Sequence, residues 1–305
     1  MKRKKFMEKR RKIKVKAATS NKKINKLILH EKFLVKKKFI LNEKYLTEKK
    51  LRPVENVIDF KNTSKSNLEI RNVSKILDNK PIIKNISLSV EPGKIVGLLG
   101  PNGCGKTTLY NLIVGKYSVD KGDILLNNKK IQDFPIYQRS RMGISLLEQH
   151  RGLLNNLTAF ENLCAILELY INDKDKIYKR ANELLAKFNL EYLKNVRAKN
   201  LSGGEYRKCG ILQRICNKNI SILLLDEPCA ALDLISVNSL KQFILELRKS
   251  GISILITDHN YFLIEDILDK VYIMKQGQII TSGTTKQIEK DEKAIKYYLG
   301  QKISN

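Results

Sequence analysis

Three short stretches of almost unbroken apolar residues recur along the chain: Lys94–Leu99 (KIVGLL), Ile220–Leu225 (ISILLL) and Ile252–Ile256 (ISILI). Runs this short, without polar alternation, are the pattern of strands buried on both faces, as in a parallel sheet covered by helices. Leu68–Val73 and Ile82–Val90 read as two further strands, and Pro92-Gly93 marks the turn that follows them. Lys106–Val114 reads as a helix, and Val237–Lys249 as another, lying between the last two buried runs. Val271–Gln276 and Ile279–Thr281 flank Gly277 as a hairpin. Over residues 157–189 the spacing changes: Leu157, Phe160, Leu163, Ile166 and Leu167, then Ala181, Leu184, Leu185 and Phe188, recur at helical intervals. Strands alternating with helices, interrupted by an all-helical insert near 150–215, predict an α/β core with a helical arm. No segment repeats.

Composition changes this picture mainly at the N-terminus. The 305 residues hold 58 Lys/Arg and 31 Asp/Glu, a net charge of +27. Residues 1–67 carry net +17 of this and the remainder net +10. Residues 1–20 offer little to bury and are expected to be disordered. Residues 22–50 mix Lys with Ile24, Leu27, Ile28, Phe33, Leu34, Phe39, Leu41, Tyr45 and Leu46. That mixture suits a basic amphipathic helix on an anionic membrane surface or a partner, contact with a polyanion, or a solvated tail without a ligand. An over-extended start, with Met7 among the alternative first residues, also fits. No apolar run approaches the roughly 18–20 residues that cross a bilayer, and the N-terminus lacks a secretory apolar core. Cys104, Cys164, Cys209, Cys216 and Cys229 form no C-x-x-C pair and lie beside no His. They read as reduced thiols rather than as a disulfide or zinc framework. His30 and His150 have no motif around them.

The candidate chemistry begins where the first buried run ends. Gly100-Pro101-Asn102-Gly103-Cys104-Gly105-Lys106-Thr107 satisfies G-x-x-x-x-G-K-[ST], with a strand before it and a helix after it. Such a loop must curl so that successive N–H groups face phosphate oxygens, and a Cβ would block the turn or the approach. The following helix adds its positive end. Lys106 is expected on the β/γ-phosphates and Thr107 on Mg2+, with Thr108 next to it and Cys104 in a variable position. Downstream, Ile222–Leu225 runs into Asp226-Glu227. Two carboxylates ending an apolar strand are costly unless they meet a cation or water. Asp226 fits a Mg2+ ligand acting through water, and Glu227 fits the base that polarises the attacking water.

Between these sites lies Leu201-Ser202-Gly203-Gly204-Glu205. LSGGE resembles the signature of ABC-transporter nucleotide-binding subunits, and with it the chain from 68 to 300 resembles that family. Further motifs match in order: Gln149 at the family's Q-loop, Asp233 at its D-loop, and His259 in Thr257-Asp258-His259 at its switch histidine. The resemblance implies a P-loop NTPase of ABC type, with a RecA-like parallel sheet, an antiparallel β subdomain and a helical subdomain at about 150–215. It also implies a division into a basic N-terminal extension, 1–67, and a nucleotide-binding domain, 68–305. Implied too are ATP and Mg2+ as ligands, with Thr107, Gln149 and Asp226 around the metal, and Glu227, His259, Gln149 and Lys106 as catalytic groups. Gly100 to Thr108 would hold the nucleotide on one copy. Ser202, Gly203, Gly204 and Asp233 would meet it from the other copy of a homodimer. The implied partners are two transmembrane permease subunits, with the chain peripheral on the cytoplasmic face of the inner membrane; the tail could touch anionic lipid, and nucleic acid is disfavoured. ITDHN at 256–260, DLISV at 233–237, NLTAFENL at 156–163 and YYLG at 297–300 point within the family to the ATPases of lipopolysaccharide export. A branched-chain amino-acid importer ATPase and a soluble ABC ATPase acting on ribosomes or nucleic acid are the alternatives.

Three positions depart from the family pattern. Leu77 stands where an aromatic stacks on adenine, Glu148 stands before Gln149 where the subfamily tends to have Pro, and Leu153-Leu154 gives an aliphatic groove lip where Phe is expected. These departures predict weaker hold on the base, a less rigid Q-loop and an altered docking shape.

Overall fold

The computed structural model describes residues 67–149 and 152–300. The expectations for residues 1–66, for His30 and for His150 lie outside the described residues. Two sheets form. Strands β1 (Leu68–Leu77), β2 (Lys80–Val90), β4 (Lys121–Leu126) and β5 (Lys129–Lys130) pair antiparallel in the order β2-β1-β4-β5. The second sheet has the order β10-β9-β3-β8-β7-β6, from β3 (Ile95–Leu99), β6 (Ile144–Leu147), β7 (Ile222–Asp226), β8 (Ser253–Thr257), β9 (Lys270–Lys275) and β10 (Gln278–Gly283). All its pairings are parallel except β10 on β9. The antiparallel edge is what the hairpin around Gly277 must produce.

Alternation along the parallel strands shows why they lack polar residues. Ile95, Leu223, Leu225, Ile254, Ile256 and Val271 point into one core, shared with the helices of the insert. Val96, Leu98, Ile222, Leu224, Leu255 and Tyr272 point into the other, shared with α1 (Lys106–Val114) and the antiparallel sheet. Each such side chain, once fully buried, stabilises the fold by roughly 1.5–3 kcal/mol. The chain continues through α2 (Ile136–Arg141), α3 (Ala159–Leu167), α4 (Lys174–Lys187), α5 (Gly203–Arg214), α6 (Leu234–Lys249) and α7 (Thr285–Ile288).

The helical spacing over 157–189 is two helices. Thr158 caps α3 in a capping box with Glu161, and the Asp173 side chain accepts from the amides of Asp175 and Lys176 to start α4. Helix α6 begins three residues before the expected Val237, because Asp233 caps it through the Ser236 amide. Strands β4, β5 and β6 and helices α2 and α7 were not anticipated. Four residues, ISLL, are too few for periodicity to register, and β6 exists through its pairing with β7. Of the two leucines at the expected groove lip, Leu153 is a core residue at 7% exposure and Leu154 is half-buried. All five cysteines are buried and none forms a disulfide; burial pushes the Cys209, Cys216 and Cys229 thiols up to about 12. Among the described residues no helix is long and apolar enough to cross a membrane.

Candidate functional site

In this sheet order the chain leaves β3, crosses to the far edge at β6, and returns through β7 and β8. The C-terminal ends of four adjacent strands therefore lie side by side. Each carries one predicted site segment: Gly100–Gly105 after β3, Asp258-His259 after β8, Asp226-Glu227 at β7, and Gln149 beyond β6. Crevices at such strand ends are where open α/β sheets bind ligands.

The loop after β3 needs its glycines for different reasons. A Cβ on Gly100 would lie 2.1 Å from the Met274 carbonyl oxygen, so the backbone there abuts β9. Gly105 adopts φ 111° and is the N-cap of α1, with no side chain capping the helix. The first-turn N–H groups of α1 consequently carry no side-chain acceptor and suit an anion. Lys106 is 5% exposed, and its ammonium donates to the carbonyls of Gly100 at 2.8 Å and Pro101 at 3.1 Å. A buried cation held by neutral groups, these carbonyls and the Cys104 sulfur at 4.0 Å, can exchange them for phosphate oxygens. Thr107 and Asn102 are exposed, Thr108 is half-buried, and Cys104 turns its side chain inward. The loop therefore fits a triphosphate, with Cys104 offering backbone only.

Beside it, the Thr107 hydroxyl donates to Asp226 Oδ2 at 3.0 Å, and the Thr257 hydroxyl donates to Asp226 Oδ1 at 2.7 Å. Thr107 and Asp226 give adjacent hard oxygen donors of the kind Mg2+ takes. Among the described residues no three His, Cys, Asp or Glu side chains are arranged to hold a metal. A Mg2+ ion here would accordingly share its remaining positions between phosphate and water.

Glu227 has φ 47°, a left-handed conformation that costs a residue with a Cβ about 1–2 kcal/mol. Its N–H is fixed on the Thr257 carbonyl at 3.0 Å, which holds the turn. Gln149 Nε2 donates to Glu227 Oε2 at 2.8 Å, and His259 Nδ1 stands 3.7 Å from the same oxygen. The arrangement brings an amide, an imidazole and a carboxylate together around one point. Gln149 faces Glu227 rather than the Thr107–Asp226 pair. Asp258, next to His259, is fully buried; burial pushes its carboxyl above the usual aspartate range against the pull of the Asn260 amide and His259. The Tyr298 hydroxyl donates to the Asp258 carbonyl at 3.3 Å, so the C-terminal YYLG segment reaches this loop. Glu148 is ion-paired with Lys116 just past the end of α1, which tethers the start of the Q-loop without a proline.

Ser202, Gly203 and Gly204 are not brought to the phosphate loop within one chain. Ser202 caps α5 in a capping box: its N–H and hydroxyl both donate to Glu205 Oε2, at 2.9 and 2.8 Å. Gly204 packs on the start of α6, where a Cβ would lie 3.1 Å from Ser236 Cβ. Ser202 and Gly203 are exposed, and so is Asp233, whose carboxyl the Ser236 hydroxyl and amide hold below the usual range. Leu234 and Ile235 beside it are 67% and 83% exposed. These groups form an open edge. Leu77 ends β1 half-buried, opposite Lys80, before the turn at Asp78-Asn79.

Motif matching overlooked Thr257, which braces both Asp226 and Glu227. The available signal was a hydroxyl residue at the end of a buried strand, immediately before Asp258-His259. It also overlooked Tyr206 and Arg207, which directly follow the LSGGE segment.

Comparison with known proteins gives a consistent result. A family model described as "ABC transporter" matches residues 83–230. The lipopolysaccharide export system ATP-binding protein LptB of Escherichia coli (strain K12) is 38% identical over 235 residues, covering 77% of this chain and 97% of that protein. A solved ATP-binding cassette of an ABC transporter in its ADP conformation superposes with a TM-score of 0.69 at 27% identity, covering 78% of this chain and all of that one. A dimeric ATP-binding cassette bound to ADP and Pi in a post-hydrolysis state gives a TM-score of 0.62 at 25% identity, covering 72% and 98%.

Proposed function

This chain belongs to the ABC transporter family as an ATP-binding subunit, an ATPase similar to LptB, and from that membership we propose that it powers lipopolysaccharide export from the inner membrane. The similarity to LptB over nearly that protein's whole length supports the substrate class. The observation that carries the mechanism is the meeting of Lys106, Thr107, Asp226, Glu227, Gln149 and His259 at the ends of adjacent strands, while Ser202 and Gly203 stay on an open edge.

Two copies would close head to tail, each triphosphate lying between one chain's Gly100–Thr108 loop and the other chain's Ser202–Gly204. The dimeric relative bound to ADP and Pi supports this arrangement. The Ser202 hydroxyl and the first amides of α5 meet the γ-phosphate only in the closed state, so ATP favours that state and its hydrolysis releases it. Glu227 orients the attacking water, with the Gln149 amide holding its carboxylate in place. Lys106 and His259 offset charge developing on the transferred phosphoryl group. Mg2+ held by Thr107 and Asp226 would supply charge neutralisation on the phosphate oxygens. The partners in this reading are a second copy and two LptF/LptG-like permease subunits at the cytoplasmic face of the inner membrane, with residues 1–67 as a separate basic extension.

Purification of the full-length tagged protein from its native membranes tests the assignment. Two transmembrane permease subunits and bound lipopolysaccharide are expected. Solute-importer subunits would move the protein to amino-acid uptake, and ribosomes or nucleic acid to a soluble role.

A further inference from the structure

We propose that Tyr206 is a positioning residue for hydrolysis: its hydroxyl latches the Q-loop backbone to the signature helix and thereby sets the Gln149 amide on Glu227. The inference rests on the ATPase reading above and adds a residue that no family motif assigns. The Tyr206 hydroxyl accepts from the Leu153 N–H at 3.0 Å and donates to the Leu153 carbonyl at 3.3 Å, so one side chain satisfies both backbone groups of that residue. Gly152 is the complement of this contact. A Cβ there would lie 2.6 Å from Tyr206 Cε1 and 2.9 Å from its oxygen, so any larger residue would force the ring to shift from this seat. One residue further along α5, Arg207 donates to the Gln149 carbonyl at 3.0 Å. On the opposite side Asn162 of α3, fully buried, accepts from the Leu154 N–H at 2.7 Å and donates to the Leu154 carbonyl at 3.1 Å.

Gln149, Leu153 and Leu154 are thus bound through their backbones to the helical insert, while the Gln149 side chain reaches across to Glu227. Packing does not fix the loop from every side. A cavity of about 380 Å3 opens beside the latch, lined by Gln149, Gly152, Leu201, Tyr206, Arg207 and Leu232. With free space adjoining it, the loop's position depends on these hydrogen bonds. Tyr206 lies two residues after Gly204 on the same helix, so the hydroxyl ties the loop to the helix that carries the signature segment.

Tyr206→Phe keeps the ring against Gly152 and removes only the hydroxyl. In steady-state ATPase assays on the full chain, kcat is expected to fall about fivefold to tenfold with KM for ATP changed less than about twofold. Gly152→Ala, which disturbs the same contact from the loop side, is expected to match it. In a Gln149→Ala background, followed under single-turnover conditions with enzyme in excess, Tyr206→Phe should cost nothing further. An unchanged kcat in Tyr206→Phe, or an equal fold-loss with and without Gln149, would overturn the proposal. Absence of ATP hydrolysis in the unmutated chain would instead count against the ATPase reading itself.

Discussion

Lys106→Met removes the ammonium from the phosphate loop while keeping the length of the side chain. In the free protein this ammonium is nearly buried and rests on two loop carbonyls, at 2.8 and 3.1 Å. A triphosphate offers it anionic oxygens instead. A pair of unit charges about 4 Å apart at an effective dielectric near 20 gains about 4 kcal/mol. The two carbonyl bonds surrendered recover part of that, since the freed carbonyls must be satisfied again. A net loss of about 2–3 kcal/mol remains, or roughly a 30- to 150-fold rise in the dissociation constant for ATP. Calorimetric titration of the full chain with ATP measures it. Without nucleotide, the variant leaves the Gly100 carbonyl without its donor, a cost of about 1–3 kcal/mol, and its Tm should drop by several degrees. Should Tm fall while ATP binds within threefold of the unmutated affinity, Lys106 is only a brace for the loop and its assignment to phosphate is wrong.

Two further outcomes follow from individual side chains. Asp258 is buried with Oδ2 lacking a hydrogen-bond partner, and burial raises its carboxyl above the usual aspartate value of about 3.9. The folded state then holds that proton more tightly than the unfolded chain. The group's contribution to stability is complete below the ordinary value and is lost as pH rises through the raised one. Urea titrations over a pH series should show this decline in the unmutated chain and a flatter profile in Asp258→Asn; identical slopes would show that burial of this carboxyl is not felt. Leu77→Tyr restores a stacking surface at the end of β1 and is expected to tighten ATP binding by about 1–3 kcal/mol and to raise ATP/GTP discrimination. Unchanged affinity and selectivity in competition binding would mean the base is held elsewhere.

The phosphate loop and its helix were legible in the sequence because they are local. Glycine, lysine and hydroxyl residues at fixed intervals satisfy a backbone geometry that eight residues settle among themselves, and Lys106–Val114 is helical over the span expected. The buried strands were legible because both of their faces are covered, leaving no polar position to blur the pattern. What stayed hidden depends on partners distant in the chain. Strand β6 owes its existence to β7, and Thr257 acquires its role only when β8 sits between β3 and β7. Tyr206 looks like an exposed residue of a capped helix until Gly152 is folded against it, 54 positions away in sequence. Leu153 likewise is turned inward by the Tyr206 hydrogen bonds and by the core of the helical insert, both distant in the chain. Resemblance to a family supplied Gln149, Asp233 and His259, which no local rule distinguishes from ordinary polar residues at strand and helix ends.

The central claim is that ATP joins two copies of this chain and that Glu227 ends the union. Glu227→Gln keeps the side chain's shape and its contact with the Gln149 amide while removing the base. Light scattering coupled to size exclusion, on the full chain with saturating ATP and Mg2+, measures the outcome directly. The variant is expected to elute as a stable dimer with uncleaved ATP retained and turnover abolished. A Glu227→Gln chain that stays monomeric with ATP bound, or that still hydrolyses it, would contradict the claim.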